Sequence, residues 1–133
     1  ERTSTHGAIF CIEPLSSPDS DFINSALESL ALVKDADHPA FRVQLDARAL
    51  AGNNEIRPDI FSSVAPYLVH VHVNEPNPGI FGNIGKIDND YLADCLRPIG
   101  YKGFVSIEQK MINEEDPVPG LQHSAKILRE LYA

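Results

Sequence analysis

The stretch Leu68-Val-His-Val-His-Val-Asn74 constrains this chain more than any other. A β-strand turns successive side chains to opposite faces. His70 and His72 therefore share one face, and Val69, Val71 and Val73 share the other. Three further stretches have the same design, each ending in an acid on its polar face: Ile9-Phe-Cys-Ile-Glu13, Arg42-Val-Gln-Leu-Asp46 and Phe104-Val-Ser-Ile-Glu108. Their polar ends fall at positions 13, 46, 72 and 108. Those positions are roughly thirty residues apart, the spacing of βαβ units.

Helical patterns fill the intervals. After a Ser/Pro/Asp loop over 16–20, residues Phe22, Ile23, Ala26, Leu27, Leu30 and Val33 form one apolar face. Asp19, Ser20 or Asp21 is expected to cap that helix. Residues 47–55 read as a long connection, and 57–65 as a helix with Pro58 in its first turn. The longest irregular stretch runs from Asn74 to Lys86 with Pro76, Pro78, Gly79, Gly82 and Gly85, either a functional loop or a plain connection. Asp88 is placed to cap a helix carrying Tyr91, Leu92, Cys95, Leu96 and Ile99, closed by Gly100. A loop over 110–120 leads to a last helix, 121–132, with Ile127, Leu128 and Leu131 inward.

Alternating β and α elements imply a parallel sheet. A doubly wound sheet buries both faces and reads as continuous apolar runs. Here one face is apolar and the other is polar, with Cys11, Gln44, His70 and Ser106 one layer below the strand ends. The interior of a (β/α)₈ barrel, whose functional residues project at the C-terminal strand ends, accounts for that second face. The expected fold is therefore α/β: a single domain over residues 1–133 comprising four β-α units of a parallel TIM barrel. A full barrel needs eight strands and about 250 residues. Half of one leaves two open edges, so a missing half or self-association, such as a two-fold homodimer, is expected to complete it.

The chain is 43% hydrophobic and 23% charged, as a globular domain is, and its net charge of −8 argues against an extended nucleic-acid surface. Cys11 and Cys95 are too few for a disulfide framework and are expected as reduced, buried thiols. No apolar run approaches a membrane span and no signal peptide is visible, so the expectation is a cytoplasmic protein without a membrane partner. The chain opens on Glu1 without an initiating Met, which suggests a processed product or a fragment.

Glu13, Asp46, His72 and Glu108 converge at the strand ends as a ligand set for a divalent ion, namely Mn²⁺, Mg²⁺, Co²⁺ or Zn²⁺. Clustered carboxylates repel one another unless a cation intervenes. The plain alternative is that these acids meet solvent or pair with Arg42, Arg48 or Lys110. His70 lies deeper and reads as a core polar residue or a support for the site; His6, His38 and His123 read as structural. No G-x-S-x-G elbow supports a serine hydrolase.

At these residues the chain resembles the sugar phosphate isomerase/epimerase family of xylose isomerase-like TIM barrels, which includes ketose 3-epimerases, inosose dehydratase-like proteins and, more distantly, endonuclease IV. The matching stretches are Ile12-Glu-Pro-Leu15 with Asn24, Val43-Gln-Leu-Asp46, Val71-His-Val73, Gly82-Asn-Ile-Gly-Lys-Ile-Asp88 and Gly100-Tyr-Lys-Gly-Phe-Val-Ser-Ile-Glu108. They correspond to the family's C-terminal half, strands 5 to 8. The resemblance implies that Glu13, Asp46, His72 and Glu108 hold the metal. It also implies that Glu13 and Glu108 are the catalytic base and acid on opposite sides of a sugar or polyol carbon, moving its proton through an enediolate.

Three departures bear on the substrate. Many relatives have a His where Ala49 stands, the stretch 74–79 has no Arg, and a second acid after the first strand is present only as Asp19. A truncated, non-catalytic relative that binds metal or carbohydrate, or a polyol dehydratase, therefore stays beside the epimerase reading. Endonuclease IV is disfavoured by the lack of further His ligands and of a basic face.

Overall fold

A computed structural model of the chain describes residues 6–76, 80–82, 85–110 and 113–132. Among those residues, four strands, β1 (Phe10–Ile12), β2 (Phe41–Asp46), β3 (Leu68–Val73) and β4 (Phe104–Ile107), form one sheet in the order β1-β2-β3-β4. Every pairing is parallel. A doubly wound sheet reverses its strand order at a switch point. This one runs on in sequence order, as a segment of a TIM barrel does.

Among the described residues, five helices accompany the strands: α1 (Ala26–Ala36), α2 (Ala47–Gly52), α3 (Pro58–Val64), α4 (Asn89–Leu96) and α5 (Val118–Tyr132). Among the described residues, no helix is long and apolar enough to cross a membrane. The core lies between helices and sheet. Val43, Leu45, Val71 and Val73 of the strands meet Leu30, Val33, Ile60, Phe61, Val64, Leu92 and Leu96 of the helices, all buried. Cys95 is buried and Cys11 half-buried, both as free thiols.

The start of α1 differs from the sequence expectation. Its N-cap is Ser25, not Asp19, Ser20 or Asp21, and Phe22 and Ile23 precede the helix. Ser25 and Glu28 form a reciprocal capping box: the Ser25 hydroxyl accepts from the Glu28 N–H at 3.1 Å, and the Glu28 carboxylate accepts from the Ser25 N–H at 3.2 Å. Upstream, Ile23 has a left-handed φ of 55°, which a helix excludes, and the Asn24 amide donates to the carbonyls of Leu15 and Ser20. The expected apolar face also loses Leu27 to solvent, while Ser29 is buried. Removing such a cap typically costs about 1 kcal/mol. Ser25→Ala is expected to lower unfolding stability by that amount in urea titration, and an unchanged midpoint would refute the cap's role.

The connection expected over 47–55 contains α2. Asp46 is its N-cap, its carboxylate accepting from the Ala49 N–H at 2.9 Å. The helix spans only six residues, too few for an apolar period to show in sequence. The last helix starts at Val118, three residues earlier than expected, with Ile127, Leu128 and Leu131 packed against the core. Asp88 caps α4 through the Tyr91 N–H, and Gly100, at φ 64°, sits in the turn after it.

Glu55 ties α2 to α1. It is buried, and its Oε2 accepts from the Ala26 N–H at 3.1 Å. Burial pushes its carboxyl above the ordinary value. The folded chain therefore binds this proton more tightly than the unfolded one. The resulting stability is complete below the unfolded pKa and is lost as pH rises through the raised folded value. Glu55→Gln is expected to remove that component, so that wild-type stability falls more steeply than the variant's from pH 4 towards neutrality (about three pH units). Parallel urea midpoints for the two proteins across that range would contradict it.

Candidate metal centre at the strand ends

The polar face of the sheet carries a connected set of side chains. The Cys11 thiol donates to Gln44 Oε1 at 3.3 Å, which turns the Gln44 amide nitrogen to within 3.1 Å of His72 Nδ1. His72 Nδ1 lies 3.3 Å from Glu13 Oε1 and 4.0 Å from Glu108 Oε2. Glu13, Asp46 and His72 each bring one ligand atom within 4.8 Å of the others. Glu108 stands at the rim beside these three, its side chain 63% exposed. His70 is one layer down, 3.0 Å from the Ser106 hydroxyl through Nε2 and edge-on to His72.

The register explains why Glu108 stands apart. Asp46 pairs level with His72, but His72 pairs with Ser106, and Cys11 with Arg42. The two flat layers expected from sequence are therefore staggered between neighbouring strands, as the tilt of barrel strands requires. Glu108 comes level with Asn74, which bridges the site. The Asn74 amide donates to Asp46 Oδ2 at 2.5 Å and to Glu108 Oε2 at 3.1 Å, while its carbonyl oxygen accepts from the Arg48 N–H at 2.9 Å. Sequence reading missed Asn74 as a site residue. The signal was present, because 70, 72 and 74 continue one alternation.

Burial works against bare negative charge on the acids of this cluster. Burial pushes the Glu13 carboxyl up, against the Gln44 hydrogen bond and His72, which pull it down. Burial also raises Asp46, against its bonds to the Ala49 N–H and the Asn74 amide. His70 is lowered by burial and by His72 beside it. Two carboxylates and an imidazole at this spacing, with a third carboxylate at the rim, are a donor set that hard and borderline divalent ions accept.

The loop after β3 is anchored close by. Glu75 is buried, and its Oε1 accepts from the N–H groups of Gly82 and Gly85 at 3.2 and 3.4 Å. The Phe81 N–H donates to Gln109 Oε1 at 3.0 Å, and the Ser124 hydroxyl donates to the same oxygen. Pro78 and Gly79, part of the expected functional loop, lie outside the described residues.

A parallel sheet in barrel order, with an acid–imidazole cluster at its C-terminal strand ends, defines a class: four β-α units of a TIM barrel with a candidate metal centre at the C-terminal face. The chain belongs to the xylose isomerase-like TIM barrel family, whose family model matches residues 1–131. It is 31% identical over 102 residues to a D-psicose 3-epimerase of Ruminiclostridium cellulolyticum, covering 77% of this chain and 34% of that protein. It is 27% identical over 136 residues to a ketose 3-epimerase of Arthrobacter globiformis, covering 100% of this chain and 45% of that one. Among solved structures, a D-psicose 3-epimerase from Clostridium cellulolyticum with D-tagatose superposes with a TM-score of 0.87 at 23% identity, over 97% of this chain and 51% of that one. A 3-keto-D-glucoside 4-epimerase from E. coli superposes with a TM-score of 0.83 at 23% identity, over 96% and 48%. The chain thus spans between about a third and a half of the length of these relatives.

Proposed function

We propose that this chain is the C-terminal half-barrel of a divalent-metal-dependent sugar isomerase/epimerase. The observation that carries the reading is the approach of Glu13, Asp46 and His72 to within 4.8 Å, with Glu108 beside them, in a family whose curated relatives include ketose 3-epimerases. Glu13, Asp46, His72 and Glu108 would hold the ion. When bound, the ion supplies positive charge that stabilises an enediolate formed from the sugar.

Glu13 and Glu108 are the proton-transfer pair. They approach His72 of β3 from opposite sides of the sheet, Glu13 from the end of β1 two strands away and Glu108 from the end of the adjacent β4. One carboxylate takes the proton from the carbon beside the carbonyl and keeps it, and the other, protonated beforehand, gives its own proton to the opposite face. Asn74 orients Asp46 and Glu108 through its amide.

The unpaired edges of β1 and β4 and the exposed interior-face residues Ile9 and Phe104 support completion by a second half-barrel. That half is either an N-terminal segment or a second copy of this chain. The departures at Ala49 and over 74–79 favour a second reading, a relative that binds metal or carbohydrate without turnover.

The test combines light scattering, elemental analysis and a D-fructose assay for exchange of the C3 proton in D₂O. A stoichiometric divalent ion, stabilisation by about 2.7 kcal/mol at a hundredfold excess over Kd, and C3 exchange are expected of the epimerase. Metal binding without exchange supports the non-catalytic relative. A chain that binds no divalent ion sinks both. A dimeric mass supports a second copy as the completing half; a monomeric mass excludes it.

A further inference from the structure

A neutral imidazole carries its one proton on either ring nitrogen, and the hydrogen bonds around it decide which. Only the nitrogen that keeps its lone pair can take a cation. In His72 the nitrogen facing the acids is Nδ1, 3.3 Å from Glu13 Oε1 and 4.0 Å from Glu108 Oε2. An ionised carboxylate only accepts hydrogen bonds. Left to themselves, Glu13 and His72 would close on each other with the proton on Nδ1, and His72 would be a donor and no ligand.

Gln44 opposes this. It stands on β2 beside His70 of β3, one layer below the strand ends, and is 9% exposed. Its amide nitrogen lies 3.1 Å from His72 Nδ1. An amide nitrogen only donates, so Nδ1 presents its lone pair there and the neutral ring carries its proton on Nε2. The surrounding network fixes which way the amide points. Its Oε1 accepts from the Cys11 thiol at 3.3 Å, and the Glu13 carboxylate accepts a hydrogen bond from the Gln44 side chain. Turned over, the amide would set its oxygen against the Glu13 carboxylate, two acceptors face to face.

We propose that Gln44, held by Cys11, is a positioning residue of the metal centre: it keeps the proton of His72 on Nε2 and the Nδ1 lone pair turned towards Glu13 and Asp46. The consequence for metal affinity rests on the metal reading; the tautomer does not. The Gln44 amide has two protons. It gives up the bond to Nδ1 when a cation takes that lone pair, and it keeps Glu13 through the other.

Two measurements on the 133-residue chain test this. Nitrogen-15 NMR of the metal-free protein reads the His72 tautomer, with the signal assigned by its loss in His72→Gln. The wild type is expected to carry the proton on Nε2. Gln44→Met, similar in length but without a donor, is expected to move it to Nδ1. Isothermal titration with Mn²⁺ is expected to show binding about 10–100-fold weaker in Gln44→Met, the usual cost of removing the support of a metal ligand. Cys11→Ser keeps a donor for Gln44 Oε1 and is expected to behave as wild type, whereas Cys11→Ala moves both readouts towards Gln44→Met. A merely structural Gln44 would lower the urea midpoint and leave the tautomer alone. A wild type with its proton on Nδ1, or an unchanged tautomer or Mn²⁺ affinity in Gln44→Met, overturns the proposal. If Gln44→Met does not fold, the wild-type tautomer and the two Cys11 variants decide, and Cys11→Ala identical to wild type then overturns it. A wild type that binds no Mn²⁺ but changes tautomer in Gln44→Met leaves the orienting role standing and removes the Mn²⁺ site.

Discussion

Asp46→Ala is expected to abolish divalent-metal binding and to destabilise the fold, whereas Asp46→Asn abolishes binding while keeping the helix cap. Asp46 serves two structures at once. Its Oδ1 accepts from the Ala49 N–H and starts α2, while its Oδ2 takes the Asn74 amide within the acid–imidazole cluster. Asn is as good an N-cap as Asp, and Ala is a poor one. The Ala variant should therefore unfold about 1 kcal/mol more easily than the Asn variant. Both lose the carboxylate charge. Replacing even the outer supports of a metal ligand costs about 10–100-fold in affinity, so removing a ligand should cost about 100-fold or more. Titration with Mn²⁺ and urea unfolding in chelator measure the two effects separately. Wild-type metal affinity in Asp46→Asn would remove Asp46 from the ligand set.

Phe61→Ala is expected to cost about 3–5 kcal/mol, the range for deleting a buried aromatic side chain. Phe61 is fully buried on α3, in the cluster that joins α1 and α4 to the outer face of the sheet. Domains of this size are stable by about 5–15 kcal/mol, so the variant would sit near the edge of folding. Phe61→Leu keeps most of the volume and should cost under about 1.5 kcal/mol. Urea midpoints of the two variants decide the matter. A loss below 1 kcal/mol for the Ala variant (well under the range of about 3–5) would mean that the helical layer does not depend on this residue.

The strands were legible because each carries its own two-residue period over four or more residues, and the period survives whatever packs on it. The helices carrying Leu30, Leu92 and Ile127 were legible for the same local reason, at a period of 3.6. The six-residue α2 was not, because one and a half turns carry no period. Asp46, its cap, already had a reading as a ligand. Ser25 was passed over because several Ser and Asp precede the apolar run. The choice among them depends on a left-handed Ile23 and on what the Asn24 amide reaches, and neither is local to the helix.

Within the candidate centre, the residue types and their common face followed from sequence, and their mutual distances did not. Glu13, Asp46, His72 and Glu108 each hold the polar position at a strand end because alternation is a property of a single strand. Register is a property of two strands and is set by how their apolar faces pack. The tilt that results places Asp46 level with His72, leaves Glu108 at the rim opposite Asn74, and makes Asn74 the bridge. Arg48 gained its place in the same way, since only the packing of α2 against the loop at 16–19 brings it to Asp19. The chain alone thus determined which side chains face the barrel interior. Tertiary packing decided which of them touch, because contacts depend on strand offset and helix placement, which no single segment encodes.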